Sequence, residues 1–230
     1  ENVETITLSS GNSEYKFTNL PKTATISKAY KYRVREVKVK GYESKYNNDN
    51  FNIENIYTPG ETELTVNKEW ENIDINNDTL PEVNVVLYRN NEVYDNSIIL
   101  NNQNKYTYKY TNLPKYDTTG VEYEYTVKEK MKDGIVGYSS KEKTNADGSI
   151  TIINTLNNEK ISITCNKIWT GITKDSVVPA IKLRLYQNGV EMVDEYGIID
   201  NGIKEDGKDK YVFKNLPKYS TDGKEYVYTI

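Results

Sequence analysis

The chain is predicted to be all-β, built as tandem sandwich modules, on three observations. Short segments alternate apolar and polar residues with a period of two. Gly, Asn, Asp and Pro turns separate them, and one block of sequence occurs three times. No segment carries a sustained helical stripe.

The repeat sets the organisation. Tyr106 to Glu129 reads YTYKYTNLPKYDTTGVEYEYTVKE, Tyr211 to Ile230 reads YVFKNLPKYSTDGKEYVYTI, and Tyr15 to Glu36 matches more loosely. VNKEW at Val66 to Trp70 returns as CNKIW at Cys165 to Trp169, and FNIENIY at Phe51 to Tyr57 returns as ITIINTL at Ile150 to Leu156. These anchors recur about every hundred residues, a common domain size. Their order is lysine strand, LPK loop, glutamate strand, asparagine strand, and only the middle copy carries all four. The expected division is therefore 1–58, the C-terminal part of a first repeat; 61–156, a complete middle repeat; and 159–230, the N-terminal part of a third. The intervening segments are a few residues long, which implies stiffly stacked modules.

The strands follow from alternation. Leu64, Val66, Lys68 and Trp70 share one face, as do Val83, Val85 and Leu87, and Tyr123, Tyr125, Val127 and Glu129. Lys68 is the anomaly, because it lies on the face that Leu64 and Val66 should bury. In the same register Glu129 lines up with Tyr125 and Val127, and Asn154 with Ile150, Ile152 and Leu156. Three inward strands thus contribute one polar residue each. The partial copies repeat the pattern at Glu36, Asn55 and Lys167.

Burial disfavours both a charged lysine and a charged glutamate, so the pair can exchange a proton and leave a nucleophilic amine. An amine held against the Asn154 amide, with Glu129 relaying protons, would expel ammonia and form an intramolecular isopeptide bond. Fixed proximity supplies roughly 7 to 11 kcal/mol toward such a reaction, and exclusion of water removes hydrolysis as a competitor. A hydrogen-bonded Lys–Glu–Asn cluster that never reacts satisfies the same residues, and the residues alone leave both readings open.

Composition removes most other chemistry. The 230 residues carry a net charge of −4 with both signs interspersed, so neither nucleic-acid binding nor attachment to an anionic membrane is expected. With no histidine and one cysteine, Cys165, the chain has no intrachain disulfide, CxxC zinc site or iron–sulfur framework, and no cofactor or metal is expected. Cys165 takes the place of Val66 and is expected to face inward. Asp74 to Asp78 resembles the start of a calcium loop but lacks its glycine and closing glutamate, so an ordinary turn is expected. Asn188-Gly189 and Asn201-Gly202 fit tight turns. No apolar stretch is long enough to span a bilayer, and Glu1 to Leu8 lack the profile of a secretory signal.

The middle copy resembles the collagen-adhesin B-type (Cna B-type) repeats of Gram-positive surface adhesins and pilins. The resemblance rests on K-x-W at Lys68 to Trp70, the proline before the LY strand at Pro81 to Tyr88, and LPKYD at Leu113 to Asp117. It extends to YTVKE at Tyr125 to Glu129 and INT at Ile153 to Thr155. It implies prealbumin-like, inverse immunoglobulin-like sandwiches and a spontaneous Lys–Asn isopeptide bond joining first and last strands. Those roles fall on Lys68, Asn154 and Glu129, with Glu36, Asn55 and Lys167 as the corresponding members of the incomplete repeats. The function implied is a structural stalk, not a turnover enzyme, of an extracellular protein anchored to the cell wall through other regions. Its partners would be neighbouring repeats and, through a distal domain, host extracellular matrix. The alternative is direct adhesion to matrix or glycan through exposed tyrosines and loops such as Asn101 to Asn104.

Overall fold

The computed structural model describes residues 4–9, 11–25, 28–49, 51–75, 80–133, 135–173, 175–179, 181–192, 202–204 and 210–230. They form strands and turns without a helix and divide into two compact units, Glu1–Thr58 and Pro59–Ile230. The first unit holds β1 (Thr23–Thr25) with β2 (Lys28–Ala29), and β3 (Tyr42–Tyr46) antiparallel to β4 (Ile53–Tyr57).

The second unit opens with β5 (Glu61–Glu71), β6 (Val83–Arg89), β7 (Glu92–Leu100), β8 (Thr107–Pro114), β9 (Tyr125–Lys130), β10 (Tyr138–Thr144) and β11 (Ile150–Leu156). These make two facing sheets, β10-β11-β5-β8 and β7-β6-β9. Between them lies a core that includes Leu64, Val66, Val83, Val85, Leu87, Val127 and Ile152. The period-two reading holds: Leu64, Val66 and Lys68 of β5 are buried, while Glu63 and Glu69, which flank them on the opposite face, are exposed. First and last strands of this module, β5 and β11, are parallel neighbours, with Lys68 opposite Ile152 and Trp70 opposite Asn154.

A second core follows in the same unit, where Leu185, Phe213 and Leu216 pack with Ile161, Ile163 and Tyr228. Its strands are β12 (Lys160–Asn166), β13 (Tyr186–Gln187), β14 (Val190–Glu191), β15 (Gly202–Lys204), β16 (Lys210–Pro217) and β17 (Tyr228–Thr229). Here β12 pairs with β16 as β5 pairs with β8, and β13 lies between β14 and β17 as β6 lies between β7 and β9. Cys165 faces Tyr211 just as Val66 faces Tyr108. It is half-buried, on the same side as Ile161 and Ile163, whereas Val66 is fully buried.

The repeated sequence block has a local physical cause. The asparagine of each N-L-P-K loop takes a left-handed backbone, with φ of 59° at Asn19, 56° at Asn112 and 59° at Asn215. Asparagine tolerates that region better than most side chains. Eleven residues after each proline a tyrosine hydroxyl donates to its carbonyl: Tyr32 to Pro21 at 2.6 Å, Tyr125 to Pro114 at 2.7 Å and Tyr228 to Pro217 at 2.6 Å. The motif thus fixes the turn and ties the glutamate strand, or its counterpart, to it. Asn188 and Gly189, with φ of 49° and 81°, close the β13–β14 hairpin in the type I′ manner, as Asn90 and Asn91 do between β6 and β7. Asn201 lies outside the described residues, as do 76–79 of the calcium-like stretch. Among the described residues no cluster of acidic or thiol side chains could hold a metal ion.

Candidate functional site

Strand register brings three polar side chains to one place. Lys68 on β5 and Asn154 on β11 point to the same side of one sheet. Because Lys68 pairs with Ile152, Asn154 lies one inward position further along the adjacent strand, about 6.6 Å by strand rise. A lysine side chain spans that diagonal. From the facing sheet β9 brings Glu129, the next inward residue after Val127.

Lys68 is 7% exposed and Asn154 0% exposed. The Lys68 Nζ donates to the carbonyls of Glu69 at 2.8 Å and Ile152 at 3.3 Å, and lies 4.1 Å from the centre of the Trp70 ring. Burial pushes its pKa down to about 8, with the Glu129 and Glu69 carboxylates partly opposing the shift. The Asn154 Nδ2 donates to Glu129 Oε1 at 2.8 Å and approaches the Met131 Sδ at 3.6 Å. Its Oδ1 is buried without a hydrogen-bond partner. The second Glu129 oxygen accepts from the Ser140 hydroxyl at 3.1 Å. The site therefore contains a partly deprotonatable amine, an amide carbonyl with an open acceptor, and a carboxyl group within hydrogen-bonding distance of that amide.

The first unit repeats half of this arrangement. Asn55 Nδ2 donates to Glu36 Oε1 at 2.7 Å, and Ser44 donates to Glu36 Oε2 at 2.5 Å. Asn55 is exposed, unlike Asn154. Lys167 lies just beyond β12, half-buried, with its Nζ 4.6 Å from the Trp169 ring centre and donating to the Ile168 carbonyl at 3.3 Å. The lysine, the aromatic ring two residues on, and the Glu–Asn–Ser contact are thus each present twice.

Sequence reasoning missed Ser140, Met131 and the ring contact of Trp70. The signals for two of them were available. Ser44 and Ser140 both stand three residues after a glycine that precedes a tyrosine, and both tryptophans stand two residues after a lysine. In the Asn101–Asn104 loop, a candidate adhesive surface, the Asn101 and Asn104 amides are used in local hydrogen bonds while Asn102 and Gln103 are exposed. Asn104 Oδ1 accepts from the Asn101 backbone, Asn101 Oδ1 from Gln103, and Asn104 Nδ2 donates to the Ile99 carbonyl. Of the tyrosines, Tyr106 and Tyr110 are core residues and Tyr108 faces outward.

The family model for the Cna protein B-type domain matches residues 1–56, 64–155 and 163–230, and the chain belongs to that family. Its sandwich modules are of the prealbumin-like class. A collagen adhesin of Staphylococcus aureus is 32% identical over 234 residues, a match covering 100% of this chain and 19% of that protein. The chain thus spans about a fifth of the curated relative. Among solved structures, two B repeat units of the collagen-binding protein of Staphylococcus aureus share 32% identity, with 94% of this chain and 55% of that one covered and a TM-score of 0.38. A single B repeat unit shares 34%, covering 62% and 74% respectively, with a TM-score of 0.37.

Proposed function

We propose that this chain is a load-bearing stalk segment of a bacterial surface adhesin, in which the middle module locks itself with an isopeptide bond between Lys68 and Asn154. The observation that carries the reading is the fully buried Asn154 amide, held by Glu129 beside a buried lysine amine. Membership of the Cna B-type family and the likeness to a collagen adhesin support the stalk, as does the succession of separate cores along one chain. In this reading residues 1–58 are the C-terminal part of a first repeat, 61–156 a complete middle repeat and 159–230 the N-terminal part of a third.

The chemistry balances within the three side chains. Glu129, which accepts from the Asn154 Nδ2, takes a proton from the Lys68 ammonium, and the freed lone pair attacks Cγ of Asn154. A proton passes from the attacking nitrogen to Nδ2, the C–Nδ2 bond breaks, and ammonia leaves. It carries off the proton held by Glu129 as ammonium, which restores the carboxylate. One C–N bond forms, one breaks, and nothing is oxidised or reduced. A single turnover per molecule suffices. The carboxyl relay accounts for about 10²–10⁴-fold in such a step, and the fixed proximity of the buried Lys68 and Asn154 side chains supplies the larger share.

The mechanical consequence follows from topology. Load enters at β5 and leaves at β11, so a bond between those adjacent parallel strands carries tension without unzipping the sheets. Single-molecule pulling tests the reading: residues 69–153 should release no length at forces that unfold ordinary sandwiches, and a Lys68→Ala chain should release it. Full extension of the middle module in the unaltered chain would sink the proposal.

A further inference from the structure

The middle module ends in a surface shaped for the module that follows. The backbone N–H groups of Val136 and Gly137 both donate to the carbonyl of Gly223, at 3.0 and 2.8 Å, and the Tyr138 hydroxyl donates to the carbonyl of Thr221. Three donors of one module therefore meet two carbonyls in the Tyr219–Lys224 turn of the next. That turn is closed by its own bonds, Gly223 to Ser220 at 2.9 Å and Ser220 to Lys224 at 2.8 Å, and so is a preformed partner.

The glycines separate a turn requirement from a docking requirement. Gly223 has φ +79°, and Gly120 has φ +80° at the same place in the middle copy's own turn, so the turn alone explains a glycine there. Gly137 has no positive φ that demands glycine. Yet a Cβ on it would fall 2.9 Å from the Tyr219 Cβ and 3.0 Å from the Gly223 oxygen, both atoms of the following module. Gly137 lacks a side chain because its neighbour occupies the space.

The connecting residues are tied at both ends. Asn157 N–H donates to the Gly137 carbonyl at 2.8 Å, and the Glu159 carbonyl accepts from Lys218 N–H at 3.0 Å while its side chain pairs with the Lys218 ammonium at 3.1 Å. The same Tyr138 packs edge-on against Trp70, ring centres 5.1 Å apart, so the dock is braced on the ring that covers Lys68.

We infer that the loop Ile135–Tyr138 and the turn Tyr219–Lys224 form a dedicated inter-module dock. It holds the second and third repeats in one fixed orientation, so that they move as a rigid pair and not as beads on a flexible link. The inference does not depend on the isopeptide bond. Residual dipolar couplings of the whole chain test it. The cores around Val66 and Phe213 should report one common alignment tensor. Gly137→Ala should split it into two, with the amide shifts of β5 and β11 unchanged. Tyr138→Phe, which keeps the ring against Trp70 and loses the hydroxyl that bonds Thr221, should lower the order of the third module relative to the second. Separate tensors in the unaltered chain, or a common tensor that survives both substitutions, would overturn the dock.

Discussion

Lys68 is where residue type and environment conflict, and the conflict has a measurable sign. Burial lowers its pKa from 10.5 to about 8. Between those values the unfolded chain keeps a proton that the folded, unreacted chain has released, so stability rises with pH through that window. Below about pH 8 the charged amine is a standing cost of folding. Urea titrations of an Asn154→Ala chain, which has no acceptor amide, should therefore show a midpoint that climbs from pH 8 toward pH 10, and a flat profile would place Lys68 in water. Glu129 is tested separately: Glu129→Gln keeps the shape but cannot relay a proton, and loss of ammonia should slow by about 10²-fold or more, followed by mass after refolding. The alternation of β5, β9 and β11 makes these three residues legible in the sequence. The recurrence of Ser140 and Trp70 at the places of Ser44 and Trp169 can be read in the letters, but the contacts that they and Met131 make cannot, because those depend on how one sheet is placed over the other and on rotamers that a period-two pattern leaves unspecified.

At the scale of elements, the recurring N-L-P-K loop is a device for fixing the glutamate strand. The left-handed asparagine turns the chain, and the tyrosine eleven residues past the proline anchors the returning strand to it. Tyr125→Phe removes the hydroxyl that bonds the Pro114 carbonyl and interacts with Arg89, and should cost about 1 kcal/mol in chemical denaturation, without preventing cross-linking. Asn112→Ala places a Cβ-bearing residue without a polar side chain at φ 56° and should cost about 1–2 kcal/mol, whereas Asn112→Gly should be nearly neutral. The repeat itself announces that these residues form a unit. Its physical content, a positive φ and a hydroxyl-to-carbonyl bond, is geometry that letters alone do not carry. Cys165 illustrates the limit of copying between modules. The register that buries Val66 completely leaves the cysteine half-buried.

At the scale of the molecule, a cross-link from position 68 to position 154 closes most of one module into a loop. The chain-entropy model assigns about 4 to 5 kcal/mol to a closure of that length, and the amide, unlike a disulfide, survives reductant. The unaltered chain should therefore keep its middle-module melting transition in strong reductant, and Lys68→Ala should melt well below it. The central claim is the bond itself, and intact mass measures it most directly. The unaltered chain, beside a Lys68→Ala control, should weigh one ammonia less than its sequence. Peptide mapping should place the loss in joined Lys68 and Asn154 peptides, distinct from cyclisation at Asn188 or Asn201. Full mass with separate Lys68 and Asn154 peptides would contradict it and leave a hydrogen-bonded polar cluster in a stalk held by packing alone.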